Sequence, residues 1–252
     1  MIRAGRFFLI AGALGAIFAG VHLLPEAMGK LDFFQVDRIE LEGARYLEHD
    51  EAVALAALPE GFSVWHDREP IAARLAAHPL VESVEVRRRM PSTLRLVVTE
   101  REPVALYPDP GLIPMDREGR GLPIDPVHHR LDLPLVRVAD VVETESGDTG
   151  VRPREVDRAL LAREVARLGE IEPEMAASLS EASIDAHGVV TLHLANPRVE
   201  FRYLPPLSTV RIGEGIRVLT DAMERDPDRI PVVVDLRFAD QVVVRLSPRP
   251  SR

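Results

Sequence analysis

The sequence predicts an α+β protein: a single N-terminal transmembrane helix, a small domain of β-α-α-β-β order, and a larger, mostly antiparallel β-sheet domain with helices on one side. Three observations predict it. Residues 7–24 are apolar apart from His22. Residues 31–103 switch from strand to helical periodicity and back. Residues 104–246 carry many short alternating runs, with two helical stripes between them.

The apolar run is F-F-L-I-A-G-A-L-G-A-I-F-A-G-V-H-L-L, from Phe7 to Leu24. At 1.5 Å per residue its 18 residues span roughly 27 Å, enough for a bilayer core. Arg3 and Arg6 precede it; Glu26, Lys30 and Asp32 follow. The positive flank keeps residues 1–6 in the cytoplasm as a short tail and sends the bulk of the chain outward, a single-pass type II topology. A cleaved signal peptide is the other reading, with Ala27-Met28-Gly29 as a small-x-small site. The run is longer than the usual signal core, so an uncleaved anchor is expected.

In the small domain, Phe34–Leu41 reads as a first strand whose alternation slips between Val36 and Ile39, which suggests a bulge. Residues 50–58 form a short helix with Val53, Ala56 and Ala57 inward, stopped by Pro59 and Gly61. Asp67 suits the N-cap of a second helix with Pro70 in its first turn and a stripe of Ile71, Ala72, Leu75 and Ala76. Two strands close the domain. Val84 and Val86 alternate with Glu85 and Arg87, and Leu94, Leu96 and Val98 alternate with Arg95, Val97 and Thr99. Met90-Pro91-Ser92 forms the turn between them, because proline cannot donate to a ladder.

In the large domain, Asp116-Arg117-Glu118-Gly119 is a turn between Leu112–Met115 and Arg120–Ile124. Leu135–Val138 is a short strand, and residues 143–150 are a polar loop. A helix begins near Pro153 with Val156, Leu160, Leu161, Val165 and Leu168 as its buried stripe. Strands at 181–186, 189–194 and 198–203 follow. A second helix carries Ile212, Ile216, Leu219 and Met223, with Gly213 and Gly215 weakening its start. A terminal hairpin places Val232, Val234, Leu236 and Phe238 on one face, turns at Ala239-Asp240-Gln241, and returns through Val242, Val244 and Leu246. Residues 247–252 are a tail.

The chemistry of the chain is sparse. The absence of cysteine removes disulfides, thiolate metal sites and a cysteine nucleophile, and a net charge of −9 argues against nucleic acid. No G-x-S-x-G, H-E-x-x-H or phosphate-loop motif occurs, so neither catalysis nor a cofactor is expected, and a periplasmic hydrolase lacks its nucleophile–base pair. Asp125, His128, His129 and Asp132 lie close in sequence, but a metal needs a consistent ligand set and none is visible. Trp65 suits packing and Glu100-Arg101-Glu102 suits a linker. Arg87, Arg88 and Arg89 form a basic run that could meet an acidic partner or lipid head groups. A solvated strand end is the plainer reading, since exposed charges contribute little individually.

The residues P-L-V-E-S-V-E-V-R-R-R-M-P-S-T-L from Pro79, followed by E-R-E-P-V-A-L from Glu100, resemble the POTRA module. A POTRA module directly after one membrane anchor resembles the bacterial cell-division family FtsQ, called DivIB in some lineages. D-L-R-F-A-D-Q-V-V-V-R, from Asp235 to Arg245, is similar to that family's terminal motif. The segment from Leu204 to Gly215 departs from the family pattern, which leaves its backbone open. The resemblance implies a POTRA domain at 31–103 and a β domain at 104–246. It implies a non-enzymatic scaffold of the divisome at the inner membrane and septum. Its partners would be the small single-pass proteins FtsB and FtsL, bound by strand addition at Phe238, Ala239, Asp240, Gln241, Val242, Val243 and Val244, with other division proteins at the POTRA domain. A POTRA accessory of envelope protein transport is the alternative.

Overall fold

The computed structural model describes residues 28–138, 154–226 and 228–248. The apolar segment 7–24, the polar stretch 143–150 and residues 249–252 lie outside them. Among the described residues no helix is long and apolar enough to cross a membrane. The chain divides into two compact units, Met1–Arg101 and Glu102–Arg252.

The first unit contains β1 (Arg38–Glu42), α1 (His49–Ala56), α2 (Glu69–Ala76), β2 (Val81–Arg89) and β3 (Thr93–Glu100). Its sheet has the order β1-β3-β2. β3 is central, parallel to β1 and antiparallel to β2. Leu94 and Leu96 are fully buried and Val98 is 2% exposed, so the alternation of β3 is realised as read. Ile71 and Leu75 of α2 and Ala52 and Ala56 of α1 complete the core.

The first strand differs from its expectation. Asp32–Phe34 is a 3-10 turn, and β1 starts only at Arg38. The slip in alternation is a change of partner, with no bulge. Phe34 accepts from the N–H of Val64 and Val36 donates to Phe62, while residues from Arg38 onward pair with β3. Ala57 is exposed instead of inward. It ends α1 in the left-handed region, at φ 44°, where its N–H reaches the carbonyls of Val53 and Ala54. A β-carbon costs roughly 1 kcal/mol in that conformation. Ala57→Gly is therefore expected to stabilise this unit by up to about 1 kcal/mol, read as a higher denaturation midpoint. The N-cap of α2 is Arg68 and not Asp67, which lies one residue earlier and accepts the Glu69 N–H on its carboxylate at 3.1 Å.

Glu100 does more than link. Its carboxylate accepts backbone N–H groups from Arg45 at 2.9 Å, Tyr46 at 2.9 Å and Leu47 at 2.7 Å, fixing the β1–α1 loop on the end of β3. Hydrogen bonds to a charged acceptor contribute about 1.5–3 kcal/mol when buried and less when half-exposed. Glu100→Ala should destabilise the unit by about 2 kcal/mol, and Glu100→Gln, which keeps one acceptor oxygen, by less. Urea unfolding of both variants checks the order.

The second unit contains β4 (Ala105–Pro108), β5 (Leu112–Met115), β6 (Leu135–Val138), α3 (Arg154–Ile171) and α4 (Pro173–Ala177). It continues with β7 (Leu179–Ile184), β8 (Val190–Ala195), β9 (Arg198–Tyr203), α5 (Thr209–Arg225), β10 (Arg229–Asp235) and β11 (Val243–Pro248). The eight strands form one sheet in the order β11-β10-β9-β8-β7-β6-β4-β5. One face meets α3 and α5 in a single core that includes Leu161, Leu168, Leu192, Phe201, Ile212 and Val234.

The sheet is mostly antiparallel, as expected, through β10–β11, β4–β5, β7–β8 and β8–β9, while β4–β6, β6–β7 and β9–β10 are parallel. The last two of these pairs are joined through α3 and α5, and a parallel neighbour requires such a long crossover. Residues 120–124 do not form a strand; Gly121 makes an isolated bridge to Met115. The turn before them is held by buried Asp116, whose carboxylate accepts from the Glu118 and Arg120 N–H groups. Val156 and Met223 were expected inward but are 58% and 46% exposed, each in a terminal turn of its helix.

The departure at Leu204–Gly215 has a definite backbone. Leu204 is exposed, Leu207 is buried and donates its N–H to buried Glu164 of α3 at 2.8 Å, and Ser208 is the N-cap of α5. Gly215 lets α5 approach the sheet, since a β-carbon there would lie 2.9 Å from Leu236 Cδ2 and 3.1 Å from Phe201 Cε1.

Candidate partner-binding edge

The terminal hairpin is where strand periodicity, a sheet edge and an exposed aromatic come together. β11 pairs with β10 on one side only and is the end strand of the eight-stranded sheet. An end strand carries a row of backbone donors and acceptors that another chain can use. Of the seven residues expected at the contact, Val243 and Val244 lie on this strand. Phe238, Ala239, Asp240, Gln241 and Val242 lie in the connection before it.

That connection is not the continuation of the strand read from sequence. β10 ends at Asp235, with a register shift between Pro231 and Val233. Leu236 still reaches the core, but Phe238 is 43% exposed and does not share its face. The reason is Arg211, in the first turn of α5. Its Nη2 donates to the carbonyl oxygens of Phe238 at 2.6 Å and Gln241 at 2.9 Å, and lies 3.4 Å from that of Leu236. Glu214 pairs with the same guanidinium. The backbone is thus wrapped around one cation and lifted off the sheet. A cleft of about 370 Å³ lies between Arg211, Glu214 and Val218 of α5 and residues 239–242.

Asp235 fixes the start of the connection. It is only 2% exposed, and its carboxylate accepts from Arg237 Nε at 2.8 Å, Nη2 at 2.6 Å and the backbone N–H at 3.2 Å. The Arg237 hydrogen bonds hold this carboxyl below the usual aspartate range, against the opposing effect of burial. A depressed folded pKa means that the stabilisation is complete above the unfolded value, near 3.9, and is lost as pH falls through the folded value. Asp235→Asn should therefore lose less stability than wild type on acidification below about pH 4. Unfolding midpoints measured across that window check it.

In the first unit the basic run is divided by the strand pleat. Arg87 and Arg89 face outward, bound to Glu85 at 2.7 Å and to Glu40 at 3.1 Å. Arg95 on β3 lies beside them and pairs with Glu40 and Glu42. The hydrogen bond from Arg87 holds the Glu85 carboxyl below its usual range. Arg88 points to the other side, its guanidinium 4.5 Å from the centre of the Trp65 ring. Trp65 in turn meets Phe34 edge to face at 5.9 Å. So the three arginines form two surfaces.

Asp125 is spent on its own backbone, accepting from the N–H groups of His128 at 3.1 Å and Val127 at 2.8 Å, and these bonds lower its pKa. Among the described residues no three His, Asp or Glu side chains converge as metal ligands. The pattern found is strands, edges and ion pairs.

Residues 34–101 match the family described as "POTRA domain, FtsQ-type". The "Cell division protein FtsQ" of Rhodothermus marinus is 33% identical over 239 residues, which cover 88% of this chain and 81% of the relative. The chain belongs to the FtsQ family. The FtsQ of Streptomyces venezuelae is 30% identical over 206 residues, covering 80% of this chain and 69% of that protein. The first unit is thus the POTRA domain of a cell-division protein, and the similarity to both FtsQ relatives extends into the second.

Sequence patterning gives no sign of the Arg211 clamp, marks Glu100 only as part of a linker and Asp235 only as the first residue of the terminal motif. Arg211 precedes its contacts by 25 to 30 residues, and no local periodicity reports such a pairing. The x-Asp-x-Arg spacing at 235–237 was available as a signal, because residues two apart on a strand share a face.

Proposed function

We propose that this FtsQ-family chain is a non-enzymatic scaffold of the division machinery, anchored in the inner membrane by residues 7–24 with its bulk outside the cytoplasm. Its second unit binds FtsB and FtsL, the partner chain adding a strand to β11 and contacting Phe238 in the loop before it. The POTRA domain, through the outer face that includes Arg87 and Arg89, receives other division proteins. In this way the chain links division proteins to septal peptidoglycan synthesis.

The observation that carries this reading is the end position of β11 beside an exposed aromatic loop. The backbone N–H groups of a strand alternate between its two sides. One of Val243 and Val244 therefore faces β10 and the other faces outward. Each is changed to proline in the full-length chain, which is used to capture the extracytoplasmic segments of FtsB and FtsL. The outward position should lose capture and keep its unfolding midpoint; the inward position should lose both. Capture unaffected by both prolines, or no capture by folded wild type, would remove the assignment.

A further inference from the structure

We propose that the POTRA domain rests on the bilayer that holds its anchor, through an apolar patch made of Leu31 and Phe33 over Phe34 and Trp65. The inference rests on the reading of residues 7–24 as a membrane anchor.

Leu31 is 50% exposed and Phe33 is 70% exposed, the most exposed phenylalanine among the described residues. They are not loose. Leu31, Asp32 and Phe34 belong to a 3-10 turn closed by the Phe34 and Gln35 N–H groups. Phe33 meets Phe34 edge to face at 5.1 Å, and Phe34 meets Trp65 at 5.9 Å. A rigid turn thus holds two large apolar side chains in water on an aromatic base.

Where the chain enters the domain says what covers them. Gly29 is buried against residues 65 and 66: a β-carbon on it would lie 3.2 Å from His66 Nε2 and 4.0 Å from Trp65 Cβ. The apolar segment ends at Leu24. Four residues separate it from Gly29, and the five Cα–Cα steps reach at most about 18 Å. The head-group region adds only about 5–8 Å to the hydrocarbon on each side. The patch is therefore tethered within a few residues of the interface, where aromatic and apolar side chains concentrate. Its charged neighbours are of both signs, Lys30 and Arg88 beside Asp32 and Asp67, so burial of apolar surface is the driving term and anionic lipid is not required.

Trp65 is the single tryptophan of the chain. The full-length protein is reconstituted in zwitterionic phosphatidylcholine vesicles, with or without bromine on the acyl chains near the head group. Co-flotation with the vesicles tests the anchor by itself. Brominated lipid should quench the Trp65 emission of wild type, and the double variant Leu31→Ser, Phe33→Ser should lose that quenching while floating equally and keeping its unfolding midpoint. Unquenched wild type in floated vesicles would overturn the proposal, and so would equal quenching of wild type and variant. Failure to float would instead overturn the anchor reading.

Discussion

Replacing Gly215 by valine should lower the unfolding midpoint of the second unit by about 6–12 °C, whereas Gly213→Ala should raise it. The two glycines are on the same helix and have opposite meanings. A β-carbon at Gly213 meets nothing nearer than the Arg217 side chain at 3.7 Å. There alanine recovers helix propensity, about 1 kcal/mol. At Gly215 the β-carbon lies 2.9 Å from Leu236, 3.1 Å from Phe201 and 3.4 Å from Val234, all three in the core. Overpacking of this kind costs about 1–3 kcal/mol, and a β-branched residue inside a helix sits at the upper end. For a unit of this size each kcal/mol moves the midpoint by about 2–4 °C. Calorimetry of the full-length chain reads both variants. A Gly215→Val protein as stable as wild type would mean that α5 does not approach the sheet as closely as described.

Arg211→Met should weaken capture of FtsB and FtsL at least about tenfold, or about 1.4 kcal/mol, while moving the unfolding midpoint little. The guanidinium is the shared partner of the Phe238 and Gln241 carbonyls. Without it the loop before β11 loses its fixed path, and a binding partner must order it again at its own expense. Arg211→Lys should not rescue, because an ammonium lacks the planar fork that serves Glu214 and the carbonyls together. The measurement is affinity beside stability. A large drop in midpoint with unchanged affinity would make Arg211 a fold residue and detach the loop from the proposed contact.

Local periodicity carried a definite part of this structure. Leu94, Leu96 and Val98 were legible because one face of β3 is buried and the other wet, and Leu161, Val165 and Leu168 because α3 lays one stripe on the sheet. What periodicity missed was set by partners far away in sequence. Phe34 and Val36 pair with residues 62–64 before the chain turns to β3, so their pattern belongs to two neighbours. Phe238 continues the alternation of Val234 and Leu236 on paper, but Arg211 takes the backbone out of the sheet. The parallel pairs were in principle readable, since α3 and α5 each sit between two strands. Of the candidate edge, the strand position is legible and the Asp235–Arg237 pair is signalled by its spacing, but the Arg211 clamp is not.

The sheet of the second unit is open at one end only. At the other end, β5 carries Pro114, which has no N–H to offer, and its carbonyl already accepts from Leu122 at 2.7 Å. Gly121 bridges Met115 on the same side. Among the described residues no strand lies beyond β11. If a guest adds its strand at β11 as proposed, this sheet takes one guest and does not propagate from copy to copy through β5. A chain so occupied offers no second end of this sheet to another copy. The proposed occupancy of β11 thus sets one guest per sheet, and that guest competes with any pairing of two chains through the same strand.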